Sequence, residues 1–317
     1  MDGQLPFVIG NSIFPVFAII GIGTILAKTG FVTSETLAGL SRLTYWVGLP
    51  CLLFQKIATT DFLGREAGPI FIAVVLTMFV VILFGYLLSA LLRLGRNQRG
   101  AFVQASFRGN LAFVGLPVLL YASHNLAPES AHQFERLAVF AIAPIVPIYN
   151  ACSILVLLVG HKKLDAVGVK HLLLQIVLNP LLLASIGASI VSLMGWPLPV
   201  MINRTTLSIG QMSLPLALIT IGGSLAQRST GTKLKVASIP ALLKVAVTPL
   251  LGWLIAKALG LGHTEMRIAM TFMACPTAAA CYILTEQLGG DKELAGGAVL
   301  ISTLLSLASL TIVSAFF

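Results

Sequence analysis

The chain has 317 residues, of which 57% are hydrophobic and 10% charged, and its mean hydropathy is +0.97. A soluble domain carries about 25% charged side chains, so this chain cannot cover itself with a polar shell, which excludes a cytosolic enzyme, a secreted disulfide scaffold and a disordered protein. What remains is an all-α polytopic membrane protein, and the formal charge of +9 belongs to loops at the lipid bilayer surface rather than to nucleic acid.

Spanning segments need about 20 mostly apolar residues, and apolar runs without period-2 alternation are helices rather than barrel strands. Ten are predicted. The first, 6–28, has no Lys or Arg before Lys28; it lacks the charged start of a cleaved signal peptide and is expected to stay as a helix. The second, 34–58, is the least hydrophobic and carries Gly48-Leu49-Pro50. The third is 68–93, and the fourth, 99–122, holds Arg108-Gly109-Asn110 and then Gly115-Leu116-Pro117. The fifth, 133–160, and the sixth, 169–194, are joined by a short connection, and the sixth contains Asn179-Pro180. The seventh, 198–226, carries Gln211, Ser213 and Leu214-Pro215, and the eighth, 234–260, has Lys244 at its middle. The ninth, 264–288, is interrupted at Cys275-Pro276-Thr277, and the tenth is 292–316. No connection has room for a soluble domain. Cys51, Cys152, Cys275 and Cys281 lie in apolar runs without metal or redox spacing, so no metal and no cofactor is expected.

Loop charge orients this map. Loops after odd-numbered segments hold 12 Lys and Arg, and loops after even-numbered ones hold 6. The richer loops face the cytoplasm, which places both termini outside it and the protein in the cell (inner) membrane.

The two halves echo each other. Leu49-Pro50 and Leu214-Pro215 are 165 residues apart, as are Pro15 and Pro180. Arg99 and Arg267, each opening its segment, are 168 apart; Gly109-Asn110 and Pro276-Thr277 are 167 apart. This gives a first five-helix repeat at 1–160 and a second at 161–317. Five is odd, so the second repeat enters the membrane inverted, as in many secondary transporters.

Interrupted segments at matching positions of two halves are the sequence pointer to a transporter site. Gly109 weakens the fourth segment and Asn110 tolerates non-helical backbone. Pro117 disturbs the turn before it, which contains Gly115, so both are read as a helix break, and Pro276 interrupts the ninth. All eleven acidic residues fall in loops or near segment ends, whereas Arg108 and Lys244 lie inside segments. Burying a cation costs about 2.5–3.5 kcal/mol even on the lenient insertion scale. With no carboxylate at that depth, its partners are backbone carbonyls, water or an anionic substrate. The five histidines also lie in or near loops, so no side-chain proton relay is expected. An anion leaving a cell that is negative inside gains about 2.3 kcal/mol per charge per 100 mV, so export requires no coupled ion.

Arg108-Gly109-Asn110, Gly115-Leu116-Pro117 and Ala274-Cys275-Pro276-Thr277-Ala278 resemble the two crossover segments of the auxin efflux carrier family, which includes bacterial malate and malonate permeases. Ser41-Arg42, Gly48-Leu49-Pro50, Leu53-Phe54 and Leu178-Asn179-Pro180 resemble its second and sixth helices. The resemblance implies ten helices in two inverted repeats, with the fourth and ninth broken and crossing. It also implies a scaffold of helices 1, 2, 6 and 7, a homodimer through that scaffold, and a mobile bundle of helices 3–5 and 8–10. It places the substrate carboxylate at Asn110. The short connection 161–170 is similar to that of the bacterial permeases, which favours a small organic anion over auxin.

The expected function is therefore a secondary carrier of a small carboxylate, working by alternating access with an elevator-like bundle, and not an enzyme. Arg108, Gly109, Asn110, Pro276, Thr277 and Lys244 form the expected substrate site; Asn179, Gln211 and Ser213 line the scaffold side. The alternatives are an anion channel or a membrane receptor. A membrane enzyme is the least favoured class, since no zinc-protease or serine-nucleophile motif occurs.

Overall fold

A computed structural model describes residues 14–59, 64–124, 126–161, 178, 180–226 and 234–317. The predicted starts of the first and sixth segments, the 162–170 connection with Lys162, Lys163 and Lys170, and Asn179, Arg228 and Lys233 lie outside the described residues.

The described residues are helical throughout, apart from turns and a single isolated β-bridge. In chain order the helices are α1 (Phe14–Lys28), α2 (Ser34–Ala58), α3 (Gly64–Leu91), α4 (Arg96–Phe107), α5 (Leu111–Ser123) and α6 (Pro128–His161). They continue with α7 (Pro180–Leu193), α8 (Val200–Ala226), α9 (Leu234–Ala258), α10 (His263–Ala274), α11 (Ala280–Gln287) and α12 (Lys292–Phe316). By length and composition, α2, α3, α6, α8, α9 and α12 can each cross a membrane. The fourth predicted segment is two helices, α4 and α5, and the ninth is likewise α10 and α11. This is a polytopic, all-helical membrane protein.

Three prolines explain the irregular turns. A proline removes one N–H, and its ring collides with the carbonyl four residues back. Here the turn ahead of each ring widens instead of breaking. The widened turns Thr44–Gly48, Leu111–Gly115 and Leu243–Val247 run into Pro50, Pro117 and Pro249. In the first, the Leu49 N–H reaches back five residues to the Thr44 carbonyl; in the third, Thr248 N–H bonds to the Leu243 carbonyl. The Val245 carbonyl, four residues before Pro249, instead accepts a hydrogen bond from Ser309 Oγ at 2.6 Å. Helix α5 therefore runs on through Gly115 and Pro117.

By contact the chain divides into two compact units. The first comprises residues up to 68, 112–147 and 177–228. Within it α8 packs on α1 and α2, and α7 packs on α2. The backbones touch where side chains are smallest. A Cβ on Gly222 would lie 1.8 Å from the Ile20 carbonyl oxygen, and one on Gly23 would lie 2.2 Å from that of Ile219. Thr24 Oγ1 donates across the same contact to the Gly222 carbonyl at 3.0 Å. Such close approach replaces the hydrophobic drive that lipid cannot supply between helices.

The second unit comprises 69–111, 148–176 and 229–317. Its described helices are most of α3, α4, the second half of α6, and α9 to α12. Helix α12 packs against α4, α9, α10 and α11, with Ala105, Ala237 and Ala298 at the centre of one small-residue core. Gly100 lets α4 sit against Val156 and Leu157 of α6. This unit contains both helix interruptions.

Candidate functional site

Helix α4 ends at Phe107 because the backbone turns extended at Arg108, with φ −72° and ψ 94°. Helix α10 ends at Ala274 for the same kind of reason, with Cys275 at φ −58° and ψ 148°; this is the conformation that a residue before proline prefers. The two extended stretches pair with each other. Gly109 and Thr277 form an antiparallel bridge, in which Asn110 N–H donates to the Pro276 carbonyl at 2.8 Å and Ala278 N–H to the Arg108 carbonyl at 2.9 Å. The interruptions thus satisfy each other's backbone where Gly109, Asn110, Pro276 and Thr277 are all buried.

The helix ends beside the bridge are closed by side chains. Thr277 Oγ1 donates to the Ala105 carbonyl at 2.8 Å, covering the C-terminal end of α4. Thr277 N–H, which an unbroken helix would have sent to the Met273 carbonyl, donates to Ser302 Oγ at 3.0 Å. The Met273 carbonyl accepts from Lys244 Nζ at 2.6 Å. A cation at a helix C-terminus is favoured by the aligned peptide dipoles. Lys244 is fully buried, so it does not reach for the membrane surface; its partner is a backbone carbonyl. A Cβ on Gly109 would lie 3.1 Å from Lys244 Cε and 3.4 Å from Nζ, so the glycine gives the ammonium room at the bridge.

Arg108 is 8% exposed, and its guanidinium donates to Asn150 Oδ1 of α6 at 2.5 Å. One residue earlier in each helix, Phe107 and Tyr149 stack at 5.9 Å between ring centroids. Asn110 is 4% exposed, and its side-chain amide bonds to no described residue. The described acids of this unit stay at helix ends: Glu265 accepts from Gly262 N–H, Glu286 pairs with Lys292, Asp291 caps α12, and Glu293 lies in the first turn of α12. Among the described residues, the bridge therefore gathers two cations and an amide without a hydrogen-bond partner, with no carboxylate beside them.

Sequence comparison bears on such a site. A family model described as "Membrane transport protein" matches residues 8–314. The chain belongs to that family. It is the auxin efflux carrier family that the crossover motifs resemble. Among curated relatives, a Rhizobium meliloti (strain 1021) protein named "Putative malonate transporter" is 24% identical over 315 residues, covering 94% of this chain and 92% of the relative. An "Uncharacterized transporter" of Methanothermobacter thermautotrophicus is 23% identical over 310 residues, covering 95% of each. Transport across a membrane, not an enzymatic reaction, is the activity to which this membrane transport family member is assigned.

Of the residues singled out from sequence, Arg108, Gly109, Asn110, Lys244, Pro276 and Thr277 come together in this one unit. Ser213 and Gln211 lie on α8 in the other unit. Ser213 is buried, its hydroxyl donates to the Gly210 carbonyl, and it packs on Gly48; Gln211 is exposed. Asn150 and Ser302 escaped the sequence analysis. Asn150 could have been found as the one amide in the apolar stretch 145–158. The Ala105 and Met273 carbonyls carry no sequence signal.

Proposed function

We propose that this membrane transport family member carries a small organic anion bearing one or more carboxylates, by alternating access. Asn110 donates its amide to the carboxylate, Arg108 supplies positive charge from the place where Asn150 holds it, and Lys244 adds to the field. The observation that carries this is the Asn110 amide, unpaired among the described residues, beside two buried cations, with no described acid at the bridge. Three terms of the site favour an anion: charge, an unused donor, and low dielectric, in which both act strongly. The name borne by the Rhizobium relative makes malonate the first substrate to try.

The remaining architecture is part of the same proposal. Ten helices form two inverted repeats, at 1–160 and 161–317, in the inner membrane with both termini outside the cytoplasm. In support, the contact of α1 with α8 and that of α2 with α7 exchange when the repeats are swapped. Helices 1, 2, 6 and 7 serve as a scaffold and dimerise, and the bundle holding the crossover moves in the manner of an elevator. In support, both interruptions and both internal cations belong to one compact unit.

The test is counterflow in proteoliposomes with radiolabelled malonate, malate and succinate. Saturable uptake of at least one is expected, falling to background in Asn110→Ala. Wild-type rates in Asn110→Ala and Arg108→Gln would refute the site. Large unitary currents in planar bilayers would refute the carrier in favour of a channel.

A further inference from the structure

Three helices of the first unit are tied at one carboxylate. Lys56 of α2 pairs with Glu135 Oε2, and the other oxygen of Glu135 accepts from Ser123 Oγ, at the end of α5, at 2.6 Å. Glu135 itself stands two turns inside α6. The pair joins residues 79 apart in the chain, unlike Glu286 and Lys292, which are near neighbours in sequence. Further along the same helices the contact is apolar: Leu49 and Leu53 of α2 line one narrow crevice with Ala112, Leu116, Ile142 and Val146. Apolar walls slide past each other without stranding a polar group. Moving Glu135 away from α2 instead separates two charges that must then be hydrated. A pocket of about 460 Å³ with Lys56 in its lining opens beside the pair, whose side chains are 24% and 12% exposed. An ion pair that water already reaches is weak enough to break and re-form.

The tie has no counterpart in the second half of the sequence. The offset of 165 that relates Leu49-Pro50 to Leu214-Pro215 carries Lys56 to Ile221. The offsets of 165 to 168 that relate the other landmarks carry Glu135 to Leu300, Ile301, Ser302 or Thr303. None of these side chains carries a charge. Two inverted repeats by themselves make the two end states of a carrier mirror each other; a tie present in one repeat alone stabilises one of those states. In the carrier proposed above, α2 belongs to the scaffold, and α5 and α6 to the moving bundle. Contact groups residues 112–147, which are α5 and the first half of α6, with α1, α2, α7 and α8, so this hairpin is docked on the scaffold helices here.

We infer that Lys56, Glu135 and Ser123 form a one-sided latch. It holds the α5–α6 hairpin on α2 in the state seen here and opens during the stroke. Because the second repeat lacks it, the latch makes this state the resting one. The inference rests on the alternating-access reading of the preceding section.

Spin labels at Thr59→Cys and Gln133→Cys, both exposed positions, read the separation of α2 and α6 by pulsed electron resonance. The full-length protein is used in phosphatidylcholine nanodiscs, with its native cysteines replaced by alanine. One distance population should dominate while the latch is intact. Glu135→Gln should add a second population, longer by about 5 Å, one helical turn. Exchanging the charges, Lys56→Glu with Glu135→Lys, should restore the single population, which mere damage to packing would not allow. A distribution unchanged by Glu135→Gln, or altered as much by the charge exchange, overturns the latch. In proteoliposomes a disulfide between Lys56→Cys and Glu135→Cys should stop malonate counterflow, and reduction should restore it. Counterflow that persists through the cross-link overturns the latch as well. The carrier reading fails separately: the labels would then show the latch opening in Glu135→Gln although the wild type moves no anion.

Discussion

Lys244 and Arg108 approach the same bridge and are held in opposite ways. Lys244 is sealed from solvent and spends its ammonium on a main-chain carbonyl at the end of α10. Arg108 keeps a margin of exposure and is steadied by a side-chain amide of α6. A compact ammonium suits a single carbonyl, whereas a planar guanidinium can bind a neighbour with one edge and a carboxylate with another. The comparison teaches that burial alone does not assign a cation to a substrate. The lysine closes a helix end, and the arginine is the cation that the proposed function assigns to the anion.

Substitutions can break that contrast. Lys244→Met keeps the volume but leaves the Met273 carbonyl without its donor, so the protein should lose about 2–3 kcal/mol of stability, read as a lower melting temperature in detergent. Transport should fall with it. An unchanged melting temperature with abolished transport would move Lys244 into the substrate's company and erase the distinction. Arg108→Gln should do the reverse: half-saturation for the anion rises about tenfold, worth about 1.4 kcal/mol, while melting barely changes. Thr277→Val removes the donor that closes α4 and should cost about 1 kcal/mol; Thr277→Ser should recover most of it. The smallest effect is expected for Asn150→Ala, which removes one anchor of the guanidinium and should raise half-saturation by about threefold with little change in maximal rate. An equal effect on both would mean that Asn150 touches the anion itself.

Much of this was legible in the residues. Every one of the ten predicted segments contains helix, and both interruptions fall where Gly109 and Pro276 place them. Other features were not legible, for identifiable reasons. Helix α6 begins five residues before the predicted 133 because its first turn is polar: Glu129, Ser130 and His132 weigh against it in hydropathy, while Pro128 suits a helix start. Gly115 and Pro117 read as a break from sequence, yet the turn before Pro117 only widens. A proline announces a missing N–H; whether the helix parts or merely loosens depends on neighbours that sequence does not show. The carbonyl partners of Lys244 and Thr277 were hidden for the same reason, since every residue has a carbonyl.

The reciprocal bridge between Gly109 and Thr277 has a mechanical corollary. Two backbone hydrogen bonds, a threonine hydroxyl, a serine hydroxyl and a lysine ammonium fasten the interrupted strands to each other and to α4, α9, α10 and α12. Neither strand can slide on its own without stranding polar backbone in hydrocarbon. In the carrier proposed above, a stroke that moves the anion would shift this knot as one piece.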